Sequence, residues 1–191
     1  MKKYKLFFDS AFNKLNMILL NKTNKIIASF SVPTYNNLTD IALEHLNNFL
    51  LENKIKNEQI EKFYVTIGPG SFTGVRVACI IAKTWCFANR DCSLHVIDSL
   101  KFQVPFNNGI SVLDARGDKE YCCVYKNGVG IIQLLDNKTF EELCKINSDL
   151  PLYKDYSNVD IQYCLLNNLD NFVEISNIEE LKPLYIKEPI N

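Results

Sequence analysis

The chain has 191 residues, 47% of them hydrophobic and 23% charged, the composition of an ordinary globular protein with room for one large domain or two small ones. Its net charge of −1 provides no global basic field and argues against tight independent binding to a nucleic-acid backbone. No run approaches the roughly 18 to 20 apolar residues of a membrane span, and Asp9 interrupts the first apolar stretch too early for a signal peptide, so a cytoplasmic setting is expected.

Tyr4–Phe8, Leu15–Leu20 and Ile26–Val32 read as three short strands. Asn- and Lys-rich links such as Asn21–Asn24 join them, a spacing that predicts an antiparallel meander. Thr39 is the expected N-cap of an amphipathic helix over about Thr39–Asn53, with Asp40 in its first turn. Ile41, Ala42, Leu46, Phe49 and Leu50 recur there at helical spacing, and His45 falls on the polar side. The strand Phe63–Ile67 then leads into Gly68-Pro-Gly-Ser-Phe-Thr-Gly-Val-Arg-Val-Ala78, which opens a long apolar helix from Phe72 with Ser71 as its N-cap. Leu94–Ile97 follows as a strand in which His95 is expected to be packed. The order β-β-β-α-β-α-β predicts a mixed sheet covered by helices.

Gln103–Gly109, with Pro, Asn and Gly grouped together, is the best linker candidate. Ile110–Leu113, Glu120–Tyr125 and Val129–Leu135 read as three further strands, with a hairpin turn at Asn127-Gly128. Thr139-Phe-Glu-Glu142 has the spacing of a capping box for a short helix. The second half thus echoes the first, three strands and then a helix. Pro183–Pro189 is expected to be extended. The seven cysteines are odd in number and contain no CxxC pair, which argues against both a zinc site and a disulfide framework.

The glycine turn stands between a strand and a helix, where parallel α/β folds bind ligands. Its spacing fails the known phosphate templates, however. No Lys-Ser/Thr pair follows Gly74, and the pattern is G-x-G-x-x-x-G without an acidic residue about 20 positions on. Ser71 is not at the centre of G-x-S-x-G. A tight turn capped by Ser71 therefore outweighs an anion site built from the amides of Ser71, Phe72 and Thr73. The helix it opens is apolar nearly all round, with polar residues confined to Thr73, Arg76, Lys83 and Arg90. Gly74, Ala78 and Ala82 form a smooth ridge at i, i+4 and i+8, which is read as the seat of a partner helix from another subunit. Asp9 and Asp114 each end a strand. They could flank a metal-nucleotide, but capping a turn is at least as good an account of each.

The segment Ile67-Gly-Pro-Gly-Ser-Phe-Thr-Gly-Val-Arg-Val-Ala78 resembles the signature of the TsaB family, also called YeaZ. Leu6-Phe-Phe-Asp-Ser10, Val112-Leu-Asp-Ala-Arg116 and Pro183-Leu-Tyr-Ile-Lys-Glu-Pro189 match it in the right order. One departure is Leu38-Thr39, where the family often has a His-Ser or His-Thr pair. The resemblance implies an actin-like, Hsp70-like (ASKHA) α/β fold of two subdomains, each a mixed sheet flanked by helices. They are expected at 1–104 and, in trimmed form, at 105–191. It implies a non-catalytic scaffold that dimerises with a TsaD-type catalytic subunit, which places the threonylcarbamoyl group on the adenosine beside the tRNA anticodon. A TsaE-type ATPase joins the complex, ATP and Mg belong to the complex, and no cofactor is expected on this chain. The chain alone is expected to form a homodimer and to meet tRNA only through the complex.

In the family, the signature helix and the helix before it build the interface. The residues implied here are Leu46, Phe72, Val75, Arg76, Ala78, Cys79, Ala82 and Lys83. Gly68, Pro69, Gly70, Ser71, Thr73 and Gly74 would be the signature turn and a vestigial anion site, and Asp9 and Asp114 a vestigial nucleotide or metal site. The alternative is an active actin-like ATPase or kinase using Asp9 and Asp114 around a Mg-nucleotide. It needs a second glycine-rich phosphate turn in the C-terminal half, where Gly128 and Gly130 belong to a hairpin. A protease, as the wider family was once labelled, has little support, because no His stands at a recognisable spacing from Ser71 or Thr73.

Overall fold

The computed structural model describes residues 3–186, which form two sheets. Strands β1 (Tyr4–Asp9), β2 (Lys14–Asn21) and β3 (Ile26–Pro33) make the expected antiparallel meander, with Phe7 opposite Ile18 and Met17 opposite Phe30. Strands β4 (Ile60–Thr66) and β5 (Ser93–Ile97) extend it in parallel from β1. The sheet closes on β10 (Val173–Glu174), antiparallel to β5, in the order β10-β5-β4-β1-β2-β3. Leu15 to Leu20 of β2 are all buried, as an internal strand covered on both faces requires, whereas β3 at the edge alternates between half-buried and exposed.

Period-2 alternation sorts the side chains of this sheet to two faces. Leu6, Phe8, Met17, Leu19, Phe63 and Val65 face helices α1 (Leu38–Glu52) and α2 (Phe72–Ala88). Phe7, Ile18, Leu20 and Tyr64 face Phe102 of α3 (Ser99–Phe102), Cys164 and Leu165 of α5 (Ile161–Asn168), and Phe172. The second sheet has the order β8-β7-β6-β9, from β6 (Gly109–Asp114), β7 (Lys119–Tyr125), β8 (Gln133–Asp136) and β9 (Leu152–Lys154), with α4 (Asn137–Ile146) beside β7 and β8. Its core of Leu113, Tyr121, Cys123 and Tyr125 meets Leu100 and Val104 from the segment that leaves the first sheet. The chain therefore crosses to the second sheet and returns, through α5 and β10, to the first.

Several local expectations change. Helix α1 starts at Leu38, so Thr39 lies inside it, and the Asn37 side chain accepts from the Tyr35 N–H at 3.1 Å instead of capping. Helix α4 is capped by Asp136, whose carboxylate accepts from the Thr139 N–H at 2.8 Å and the Thr139 hydroxyl at 2.9 Å; a carboxylate one turn upstream takes the place of the expected threonine cap. The turn at Asn127-Gly128 forms with both residues at positive φ, 55° and 79°, as a type I′ turn requires. The ladder then lapses until Gln133, and Gly130 packs so closely on Cys123 and Val124 that it has no room for a Cβ. Gln103 is no open linker residue, because it is buried and its amide donates to Ser111 Oγ at 2.8 Å and the Val112 carbonyl at 3.0 Å. Of the expected extended segment Pro183–Pro189, residues 187–189 lie outside the described residues. No disulfide joins cysteines among the described residues, and all seven but Cys144 are buried. No helix among the described residues is long and apolar enough to cross a membrane.

Candidate functional site

The glycine turn is fastened on three sides. The Ser71 N–H donates to the Ala11 carbonyl at 2.7 Å, the Gly68 carbonyl accepts from Ser99 N–H at 2.8 Å, and Leu184 N–H donates to the Ile67 carbonyl at 2.7 Å. Ser10 Oγ donates to the Gly74 carbonyl at 2.8 Å. A Cβ on Gly70 would overlap the Ala11 carbonyl oxygen, and one on Gly74 the Ser10 carbonyl oxygen. Both glycines thus allow α2 to start directly against the end of β1. Ser71 caps α2 as expected, accepting from the Gly74 N–H at 3.3 Å, so its hydroxyl serves the helix.

A cleft of about 740 Å3 opens between this turn and the second sheet. Phe12, Gly70, Ser71 and Thr73 line it from one side, and Asp114, Arg116 and Tyr121 from the other. Asp114 is exposed there and accepts from the Arg116 N–H at 2.7 Å. Asp9 does not line the cleft. It is 1% exposed, and it accepts from the Asn16 amide at 3.0 Å, the Ala11 N–H at 3.2 Å and the Thr66 hydroxyl. Burial raises its pKa, and these donors pull the other way. The structure therefore does not bring Asp9 and Asp114 together around one ligand, and Asp9 is spent on joining β1, β2 and β4. Both histidines are packed. His95 is buried against Tyr64 and bonded to Ser93 Oγ at 2.9 Å, as expected. His45, expected in solvent, is half-buried with its ring 4.9 Å from that of Phe30.

The small-residue ridge of α2 does not face outward. Val75, Ala78, Cys79 and Ala82, with Leu46 of α1, are buried in the chain's own core, and Gly74 is buried against β1. These positions correct the reading of the ridge as a free seat for another helix: the chain's own α1 and sheet already cover it. What α2 exposes is a different stripe. Phe72 is 49% exposed, Ile80 63% and Phe87 62%, and Arg76 is exposed between them. On α1, Leu43 and Leu51 are exposed as well. Ile80, Phe87, Leu43 and Leu51 were missed as surface residues, although the spacing 72, 76, 80, 83, 87 was there to be read as one helical face. Arg76 lies 4.1 Å above the Phe72 ring and its Nε donates to the Tyr185 hydroxyl at 2.9 Å, while Lys83 Nζ donates to the Glu179 carbonyl at 2.8 Å.

Residues 34–145 match the family model described as TsaD, tRNA N6-adenosine threonylcarbamoyltransferase. Over 191 residues the chain is 44% identical to the MG208 homolog of Mycoplasma pneumoniae and 43% identical to MG208 of Mycoplasma genitalium, covering 99% of this chain and 97% of each of those proteins. It is 26% identical over 133 residues to the tRNA threonylcarbamoyladenosine biosynthesis protein TsaB of Bacillus subtilis, a match that spans 67% of this chain and 57% of that protein. In three dimensions it is similar to YeaZ from Pseudomonas aeruginosa, with a TM-score of 0.72 and 17% identity over 97% of this chain and all 100% of that one. The two mixed sheets with their flanking helices are the actin-like fold that the signature implied. The chain belongs to the TsaB (YeaZ) family, inside the wider family that the TsaD model describes.

Proposed function

We propose that this protein is a non-catalytic scaffold and activator subunit in tRNA threonylcarbamoyladenosine formation, acting by pairing with a TsaD-type catalytic subunit. The observation that carries it is the outer stripe of α2, where the large apolar side chains Phe72, Ile80 and Phe87 stay exposed while Val75, Ala78, Cys79, Ile81, Ala82, Trp85 and Cys86 of the same helix are buried. Large apolar side chains grouped on one exposed face mark an interaction surface. The enclosure of Asp9 supports the same reading, since the carboxylate that an actin-like ATPase would need is committed to structure.

In this proposal the interface is formed by α1 and α2 through Phe72, Arg76, Ile80, Lys83, Phe87, Leu43 and Leu51. The buried Val75, Ala78, Cys79, Ala82 and Leu46 support those side chains from behind. The turn Gly68–Gly74 fixes where α2 begins. A TsaE-type ATPase joins the complex, tRNA is met through the complex, and the chain alone pairs with a second copy. The chain works in the cytoplasm and divides into lobes near residue 104, with the C-terminal segment returning to the first lobe.

The test is co-expression with the TsaD-type subunit of the same genome. Phe87→Arg puts a charge at the exposed end of the stripe without touching the core, and co-elution is expected to be lost while the circular dichroism and Tm of the variant stay those of the parent. Undiminished co-elution of this variant would refute the interface.

A further inference from the structure

Beside the stripe, α2 and the segment Leu181–Tyr185 enclose a groove of about 510 Å3. Its walls are Cys79, Ile80, Leu181, Pro183 and Tyr185, and its polar lining consists of three cations, Arg76, Lys83 and Lys182. Among the described residues no carboxylate lines it. The segment is held in place, since Leu184 N–H is bonded to the Ile67 carbonyl at 2.7 Å and the Tyr185 hydroxyl accepts from Arg76 Nε at 2.9 Å. Arg76 spends one donor on that bond and Lys83 one on the Glu179 carbonyl. A guanidinium has five donors and an ammonium three, so both retain capacity for an incoming acceptor.

We propose that this groove receives an apolar side chain flanked by carboxylates, presented by the TsaD-type partner. This rests on the partner-docking reading above and specifies its chemistry. An apolar side chain fills the space over Ile80 and Pro183, while carboxylates beside it meet the cationic rim. Complementary charge of this kind sets register and speeds encounter more than it adds affinity. The sign of the rim also discriminates between partners. A two-fold pair that laid α2 against its own copy would set cations against cations, because α2 carries Arg76 and Lys83 and no acidic residue. An unlike chain with acidic residues at this place has no such penalty. Residues 181–185 lie outside the segment 34–145 that matches the TsaD model, so one wall of the groove is contributed by a part of the chain not shared with that family model. The rival occupant is α1 of a second copy, where the exposed Leu43 stands between Asp40 and Glu44.

Lys182 is exposed and off the helix, so its reversal tests the groove without altering the stripe. The full chain is titrated by calorimetry into the TsaD-type subunit at low and high salt, and its self-association is followed by sedimentation. Lys182→Glu is expected to weaken heterologous binding roughly five- to tenfold at low salt, with the difference shrinking as salt rises, while Lys182→Arg keeps the parental affinity. The groove assignment is overturned if Lys182→Glu binds the partner as the parent does. It is equally overturned if that variant only loosens self-association, which would give the groove to a second copy. Phe87→Arg separates the two readings. Loss of pairing in Phe87→Arg without any effect of Lys182→Glu removes the groove alone, whereas full pairing by Phe87→Arg removes the docking reading on which it rests.

Discussion

Asp9 ends β1 with its carboxylate enclosed by donors from three places in the chain, the Asn16 amide, the Ala11 N–H and the Thr66 hydroxyl. Asn16 in turn accepts from Ser31 Oγ at 2.8 Å, so the network runs from β4 across β1 and β2 to β3. Removing the carboxylate would leave several buried donors without an acceptor, each costing about 1 to 3 kcal/mol less whatever water can recover. Asp9→Ala is therefore expected to lose about 3 kcal/mol of stability in urea denaturation, with the still-folded fraction binding the proposed TsaD-type partner at the parental affinity. A variant as stable as the parent would show that the network does not hold the strands together. From sequence, Asp9 at a strand end was equally readable as a ligand or a cap. Only the register that places Asn16 opposite it and Thr66 on the neighbouring strand decides the matter, and register is a property of the sheet and not of the residue.

Helix α2 shows the same division at the scale of an element. Its limits were legible, because Ser71 is a good N-cap and the apolar run is long. Its orientation was legible only through a narrow polar stripe, Thr73, Arg76 and Lys83, and the small ridge on the other side was assigned to the wrong neighbour. The structure spends Gly74 of the ridge on a close backbone approach, where it meets the Ser10 carbonyl. Gly74→Ala adds one methyl group where the Ser10 backbone, just past β1, already stands, and neither backbone can yield without moving the turn. We expect a loss of about 3 kcal/mol, the upper part of the usual overpacking range, seen as a fall in Tm of about 6 to 12 °C for a chain of this size. A parental Tm would mean that α2 can shift on the sheet at little cost. The caps followed a similar pattern: Ser71 was found, while Asn37 and Asp136 were passed over for the threonines two and three residues on.

At the scale of the molecule, the order of elements through β5 was readable because each is local, a period-2 or period-3.6 pattern bounded by turn residues. The return of the chain was not, because β10 has only two residues and α5 eight, too few for periodicity to speak. Yet these short elements complete the first sheet. Leu165 and Cys164 of α5, with Phe172, cover Phe7, Ile18, Leu20 and Tyr64 on the face opposite α1 and α2. Asn168, fully buried, fastens them by donating from its amide to the carbonyls of Phe102 at 3.1 Å and Val104 at 3.2 Å. A chain ending at Asp160 would keep Phe102 against Phe7 but strip Cys164, Leu165 and Phe172 from that face. Exposing even four large apolar side chains costs roughly 6 to 12 kcal/mol, comparable to the entire net stability of an ordinary domain, about 5 to 15 kcal/mol. The truncated chain is expected to lose cooperative thermal unfolding and to bind the dye ANS, although every residue of α1, α2 and the stripe is still present. A truncated chain that unfolded cooperatively, and paired with the TsaD-type subunit, would instead show that the first sheet holds without α5, Phe172 and β10. The docking face would then owe nothing to the far side of its sheet.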